Sequence, residues 1–144
     1  SNGGIALRYF NVYGPGEEHK GRMSSVAYQS YLKIKGGMDI ELFPGEPKRD
    51  FVYIKDVVGA NIEALSNYWD LCGDWYDIGS YEARSFEDVM LGIGINRWHY
   101  KSEDEIPRGY QFYTLAKKRM PGWTPKFSLE DGLKDYVKYL TQNE

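Results

Sequence analysis

Nine residues constrain this chain more than any others: Leu7-Arg8-Tyr9-Phe10-Asn11-Val12-Tyr13-Gly14-Pro15. Ile5 to Tyr9 is an apolar, β-prone run and reads as a strand. Gly14-Pro15-Gly16 is turn chemistry that stops it abruptly. Asn11 therefore stands near the C-terminal end of a strand, where open α/β sheets form their ligand crevice. Its carboxamide offers both a donor and an acceptor to a polyol. The other reading of the same residues is a buried strand running into a structural turn.

The 144 residues amount to one domain's worth of chain, enough to bury a core. A formal charge of -3 argues against a nucleic-acid surface. No run of about 18 apolar residues predicts a membrane span. The single cysteine, Cys72, has no internal disulfide partner, which leads us to expect a reducing, cytoplasmic setting. Two histidines and one cysteine give no pattern for a metal site. Ser1-Asn2-Gly3 reads as a cloning scar, so the expected domain is residues 1–144 with 1–3 extraneous.

No Gly-x-Gly-x-x-Gly run is present, so the dinucleotide fingerprint is missing. Tyr31 to Lys35 and Tyr113 to Lys117 match Tyr-x-x-x-Lys, but a chain with thirteen tyrosines yields roughly one such match by chance. Both read as surface pairs. Between Glu17 and Gly21 lies a polar loop. Its Lys20 is either a solvated lysine or a cation that enters a cleft, where desolvation would bring it toward acid/base range.

Ser24 to Lys35 reads as a helix that Ser24 or Ser25 can cap and that Gly36-Gly37 ends. Ile40 to Phe43 is a short strand candidate followed by the turn Pro44-Gly45-Glu46-Pro47. Lys48 and Arg49 then form either a surface pair balanced by Asp50 or a site for phosphate oxygens, which arginine binds through paired hydrogen bonds. Phe51 to Ile54 is apolar, and Asp56 is expected to cap a helix running through Ile62, Leu65 and Tyr68 or Trp69. Trp75 to Ser80 reads as strand and turn, and Ser85-Phe86-Glu87-Asp88 as a capping box. Arg97 to Tyr100 reads as a short strand, in a stretch from Gly92 where the reading is poor. Ser128 to Asp131 caps a terminal helix with Leu129, Leu133, Tyr136 or Val137, and Leu140 as its apolar stripe.

Arg8-Tyr9-Phe10-Asn11-Val12-Tyr13-Gly14-Pro15 resembles the strand-to-turn signature of the extended short-chain dehydrogenase/reductases: nucleotide-sugar epimerases, dehydratases and reductases. Glu18-His19-Lys20-Gly21 and Lys48-Arg49-Asp50-Phe51-Val52-Tyr53 resemble, within them, the ADP-glyceromanno-heptose 6-epimerases of lipopolysaccharide core synthesis. The resemblance implies an α/β fold: the C-terminal substrate-binding region of a Rossmann-superfamily enzyme whose Rossmann half is missing here. It implies NADP as cofactor, an ADP-heptose substrate, and a homo-oligomer such as a pentamer. By the same resemblance Lys20 is an acid/base group that also contacts cofactor, and Val12 contacts cofactor. Asn11, Arg22, Gln29, Phe43, Pro44, Gly45, Glu46, Arg49 and Tyr110 bind substrate. Arg22 and Gln29 depart from the pattern, which carries a small hydroxyl residue and a histidine there. The loop before Arg49 is also about two residues short of the pattern.

The chain alone is therefore expected to be inactive. Two other classes stay open. One is a different extended reductase, such as a UDP-hexose 4-epimerase or a dTDP-sugar dehydratase. The other is a nucleotide-sugar-binding module without catalysis.

Overall fold

The computed structural model describes residues 3–144; Ser1 and Asn2 of the expected scar lie outside them. Strand β1 (Ala6–Tyr9) pairs in parallel with β5 (Trp75–Ile78), in register from Ala6 against Trp75 to Tyr9 against Ile78. Helix α2 (Ile54–Ser66) covers one face of this pair. Val57, Ala60 and Ala64 are its buried side, packed with Leu71, Tyr76 and Ile78. The expected apolar line of this helix is corrected: Ile62 and Leu65 are exposed by 59 and 79%, and Trp69, exposed by 75%, falls in a separate short helix, α3 (Tyr68–Leu71). The small Ala60 and Ala64 face the sheet because they let helix and strands approach closely, which turns the larger residues outward.

After Phe10 the chain continues as β2 (Asn11–Tyr13), parallel to β4 (Lys48–Tyr53). On its other edge β4 meets β6 (Ala83–Ser85) antiparallel. Strand β4 is central and buried on both faces: Phe51 and Tyr53 enter one core and Val52 the other. The first core is closed by α1 (Val26–Lys35), α4 (Phe86–Gly92) and α5 (Leu129–Gln142). Leu129, Leu133, Tyr136 and Leu140 are the buried stripe of α5. A short parallel ladder joins β3 (Glu41–Leu42) to β7 (His99–Tyr100).

The helix starts follow local chemistry. Ser25 caps α1, accepting from the Tyr28 N–H. Ser85 and Asp88 form the expected capping box of α4, and Ser128 caps α5. Asp56 does not cap α2; Tyr53 holds that position. Its buried carboxylate accepts instead from the Lys126 and Phe127 N–H groups. Two further buried aspartates do the same for the preceding stretch. Asp50 receives the Ala116 N–H, and Asp77 the N–H groups of Lys117 and Lys118. The segment from 107 to 128 is mostly irregular, so these carboxylates supply the acceptors that a ladder would otherwise give.

Among the described residues no helix is long and apolar enough to cross a membrane, and no group of three or more His, Cys, Asp or Glu could hold a metal.

Candidate functional site

Asn11, Val12 and Lys20 border one cleft of about 370 Å³, with Phe10, Phe51 and Phe86 among its apolar lining. Asn11 does not close a strand, as expected, but opens one, because the chain re-pairs with β4 after the break at Phe10; the start of β2 thus delivers Asn11, which is exposed, and Val12, which is half-buried. Lys20 comes from the 3-10 segment Glu18–Met23 between β2 and α1, and is exposed. Glu17 also borders the cleft, and its side chain is buried. Its carboxylate accepts from the Gly14 N–H, the Ser25 hydroxyl and the Tyr136 phenol. Burial and the hydrogen bond to Glu17 hold the Tyr136 phenol well above its ordinary range, so it stays a neutral donor.

Phe86 links this cleft to a second group of predicted residues. Its ring meets that of Phe51 edge-on at 5.7 Å, and the Arg49 guanidinium lies 5.5 Å from its centre. The same guanidinium lies 5.2 Å from the Tyr110 ring, which meets Phe43 edge-on at 5.0 Å. Arg49 is buried, donates to the Lys48 carbonyl, and forms no ion pair among the described residues. Asp50 does not balance it: its carboxylate is filled by Ser80, Tyr81 and Ala116 donors. A buried guanidinium flanked by aromatic rings keeps donors for an incoming anion.

Pro44, Gly45 and Glu46 line a second cleft of about 530 Å³ with Glu87 and Tyr100, which shares no lining residue with the Asn11 cleft. The turn is tight, with φ of 88° at Gly45 and 53° at Glu46. Arg22 is exposed on the Lys20 loop. The Gln29 amide donates to the Arg22 and Ser24 carbonyls, so it braces that loop. A larger cleft of about 650 Å³, lined by Met38, Arg97, Trp98 and His99, contains none of the predicted site residues. Of the Tyr-x-x-x-Lys matches, Tyr31 and Lys35 form a helix-surface pair, with the ammonium 5.7 Å from the ring centre. Sequence reasoning missed Glu17, Phe51 and Phe86 as cleft residues. Phe86 stood inside a recognised capping box, whose signal describes the backbone and not what the intervening side chain touches.

Residues 3–79 match the model of the NAD dependent epimerase/dehydratase family, a span that holds Asn11, Val12, Lys20 and Arg49. The chain belongs to this family. Among curated members of the epimerase/dehydratase family, it is 38% identical over 163 residues to the ADP-L-glycero-D-manno-heptose-6-epimerase of Fusobacterium nucleatum. That match covers 96% of this chain and 48% of the relative. It is 33% identical over 171 residues to the enzyme of the same name from Pseudomonas aeruginosa, covering 96% and 51%. The chain thus spans about half the length of the curated relatives it matches. Both alignments run longer than the 144-residue chain, so the relatives carry residues within the matched stretch that this chain lacks.

Solved structures of the epimerase/dehydratase fold agree. The Helicobacter pylori ADP-L-glycero-D-manno-heptose-6-epimerase is similar with a TM-score of 0.79 and 33% identity, over 95% of this chain and 43% of that one. The Thermotoga maritima UDP-glucose 4-epimerase, solved with UDP-glucose, also gives 0.79, at 29% identity over 96% and 46%.

Proposed function

We propose that this chain is the substrate-binding part of an ADP-glyceromanno-heptose 6-epimerase, acting in the cytoplasm with NADP in lipopolysaccharide core synthesis. One observation carries the reading. A cleft bordered by an amide (Asn11) and an amine (Lys20) is lined by Phe86, whose ring centre lies 5.5 Å from a buried arginine, Arg49, with no ion-pair partner among the described residues. A nucleotide sugar has this polarity, with hydroxyls at one end, a diphosphate between, and an aromatic base at the other.

In this assignment Arg49 takes the diphosphate through paired charge-assisted hydrogen bonds, with Arg22 as a second cation at the loop. Phe43 and Tyr110 present apolar edges to the nucleotide, and Pro44, Gly45 and Glu46 shape the turn that wraps it. Gln29 contributes by holding the Lys20 loop toward the substrate. Asn11 orients sugar hydroxyls. Lys20 holds or releases a proton at a sugar hydroxyl oxygen as general acid/base.

The half-buried Val12, the apolar Phe10, Phe51 and Phe86, and the cationic Lys20 suit a flat amide-bearing ring with phosphate nearby. When bound there, a nicotinamide cofactor would accept and return hydride at the sugar carbon being inverted. Val12 would bound the ring, and Lys20 would face its charged part.

The whole enzyme would be a homo-oligomer, and the 144-residue chain alone would be inactive. The test is C6 inversion of an ADP-heptose, followed by NMR, in the full-length protein with NADP. Inversion there, its loss in Lys20→Met, and no turnover by the chain alone would support the reading. Turnover of a UDP-hexose in preference to the ADP-sugar would replace it with the 4-epimerase reading, which the equal TM-score of the UDP-glucose 4-epimerase keeps in view.

A further inference from the structure

We infer that Glu17 is a positioning residue that sets Lys20 against Asn11 across the cleft. The inference rests on Lys20 being the acid/base group proposed above. The loop between Tyr13 and Val26 carries Lys20 on its exposed part, with Glu18, His19, Gly21, Arg22 and Met23 also in solvent. Such a segment holds no fixed geometry by packing alone. Glu17 is the charged residue of this loop that turns inward, with 5% of its surface exposed.

Both ends of Glu17 hold the turn. Its backbone carbonyl accepts the Lys20 N–H at 3.0 Å. Its carboxylate Oε2 accepts the Gly14 N–H at 3.1 Å, the Ser25 hydroxyl at 2.8 Å and the Tyr136 hydroxyl at 2.7 Å. Oε1 accepts the Ser25 N–H. The donors come from the turn after the Asn11 strand, from the cap of α1, and from α5. One carboxylate therefore ties the Asn11 side of the cleft, the Lys20 side and the terminal helix to a common point.

The far side of the turn is fastened separately. The Ser24 hydroxyl and N–H donate to the Gly21 carbonyl, and the Gln29 amide donates to the Arg22 and Ser24 carbonyls. Gly21, at φ 54° and ψ -122°, makes the reversal between the two anchors. Lys20 is thus suspended between two bonded points while its amine forms no ion pair among the described residues.

Every group on the Glu17 carboxylate is a donor, so an ionised acid fits and an amide does not. In Glu17→Gln the new NH2 must face either the Oε2 donors or the Ser25 N–H. Proton transfer needs hydrogen-bond reach, and a misplacement of about 1 Å can lower a rate by two orders of magnitude. The consequence falls on kcat, because Arg49 and Tyr110 make no hydrogen bond with Glu17 and Arg22 is held by the separate Gln29 anchor.

The test compares Glu17→Gln, Tyr136→Phe and Lys20→Met. Amide exchange is read on the chain, and kcat and KM on the active full-length protein. In Glu17→Gln, exchange at Gly14, Lys20 and Ser25 should rise roughly tenfold or more, while Phe51 to Tyr53 in β4 keep their rates. Its kcat should fall by roughly 10- to 100-fold with KM within about twofold. Tyr136→Phe removes one donor of four and should shift both readouts in the same direction but less, which keeps a result in hand if the Gln variant fails to fold. Unchanged kcat in a folded Glu17→Gln protein, or in Tyr136→Phe if the Gln variant does not fold, overturns the inference. So does a loss carried by KM. Inactivity of Lys20→Met alongside full activity of Glu17→Gln defeats this inference alone. Full activity of Lys20→Met defeats the acid/base reading and this inference with it.

Discussion

The Arg49 guanidinium lies 5.2 Å from the ring centre of Tyr110 and forms no ion pair among the described residues, although Asp50 is its neighbour in sequence. Aromatic faces compensate part of a buried cation's lost hydration, but not as an ion pair would. The arrangement is poor as a stabilising device and good as a waiting anion site.

Arg49→Met should therefore separate binding from stability. Charged hydrogen bonds of about 1.5–3 kcal/mol would be lost to a nucleoside diphosphate, which weakens ADP binding by roughly 10- to 150-fold. The thermal midpoint should stay level or rise, because a buried charge with no ion-pair partner among the described residues has been removed. Calorimetric titration with ADP and a thermal scan measure the two effects. Undiminished affinity would show that the guanidinium is not a phosphate ligand.

Gly132 lies where α5 crosses Tyr13 and Tyr53. A Cβ there would overlap the Tyr13 hydroxyl and meet the Tyr53 ring at 3.2 Å. A glycine in a helix interior ordinarily costs about 1 kcal/mol against alanine, yet here it permits close packing of helix on sheet. Gly132→Ala should destabilise by about 1–3 kcal/mol through overpacking. Adding Tyr13→Phe, which removes the nearest oxygen, should recover part of the loss. A stabilised single variant in a urea titration would show that α5 can move away without penalty.

The contrast between what could be read locally and what could not follows from sequence distance. Ser25 before α1, the Ser85 and Asp88 box, and the Leu129, Leu133, Tyr136 and Leu140 stripe all announce themselves within a turn or a few turns of helix. Asn11, Val12 and Lys20 share a cleft partly because one short loop joins them. The Asp56 carboxylate looked like a cap because acids near a helix start usually serve the same helix. Its partners, Lys126 and Phe127, are some seventy residues away. Glu17 and Tyr136 are 119 positions apart, and nothing in a polar loop tells which of two adjacent glutamates turns inward. The outward Ile62 and Leu65 reversed a periodicity argument because close approach favoured the alanine side of α2.

Asp50 tests whether buried aspartates substitute for missing ladder partners. Its carboxylate is fully buried and takes the Ser80 N–H at 2.6 Å and hydroxyl at 2.8 Å, the Tyr81 N–H at 2.9 Å and the Ala116 N–H at 3.0 Å. Asp50→Asn keeps the shape but turns one acceptor into a donor among donors. It should destabilise by about 3 kcal/mol and raise amide exchange around Ala116 before the rest of the molecule. Uniform exchange, with no early release of that segment, would place the anchor elsewhere.

Asp77 gives the fold an acid limit. Burial pushes its carboxyl up. The Arg8 guanidinium at 2.7 Å and the N–H groups of Lys117 and Lys118 pull it down more strongly, so it lies below its ordinary 3.8. Glu130 lies below its ordinary 4.5 because Arg84 donates to it. Lys55, followed by Tyr53, lowers Asp135. A carboxyl lowered by folding stabilises the fold fully above its unfolded value, and that contribution is lost as pH falls through the folded value. The thermal midpoint should therefore hold steady from roughly pH 7 to pH 5 and fall below about pH 4.5. Asp77→Asn should be less stable at neutral pH yet decline less steeply in acid, so that the two curves converge. Arg8 is mostly exposed, so salt should weaken its share while leaving the backbone N–H share in place. Curves that stay parallel down to about pH 3 would remove Asp77 from the acid transition.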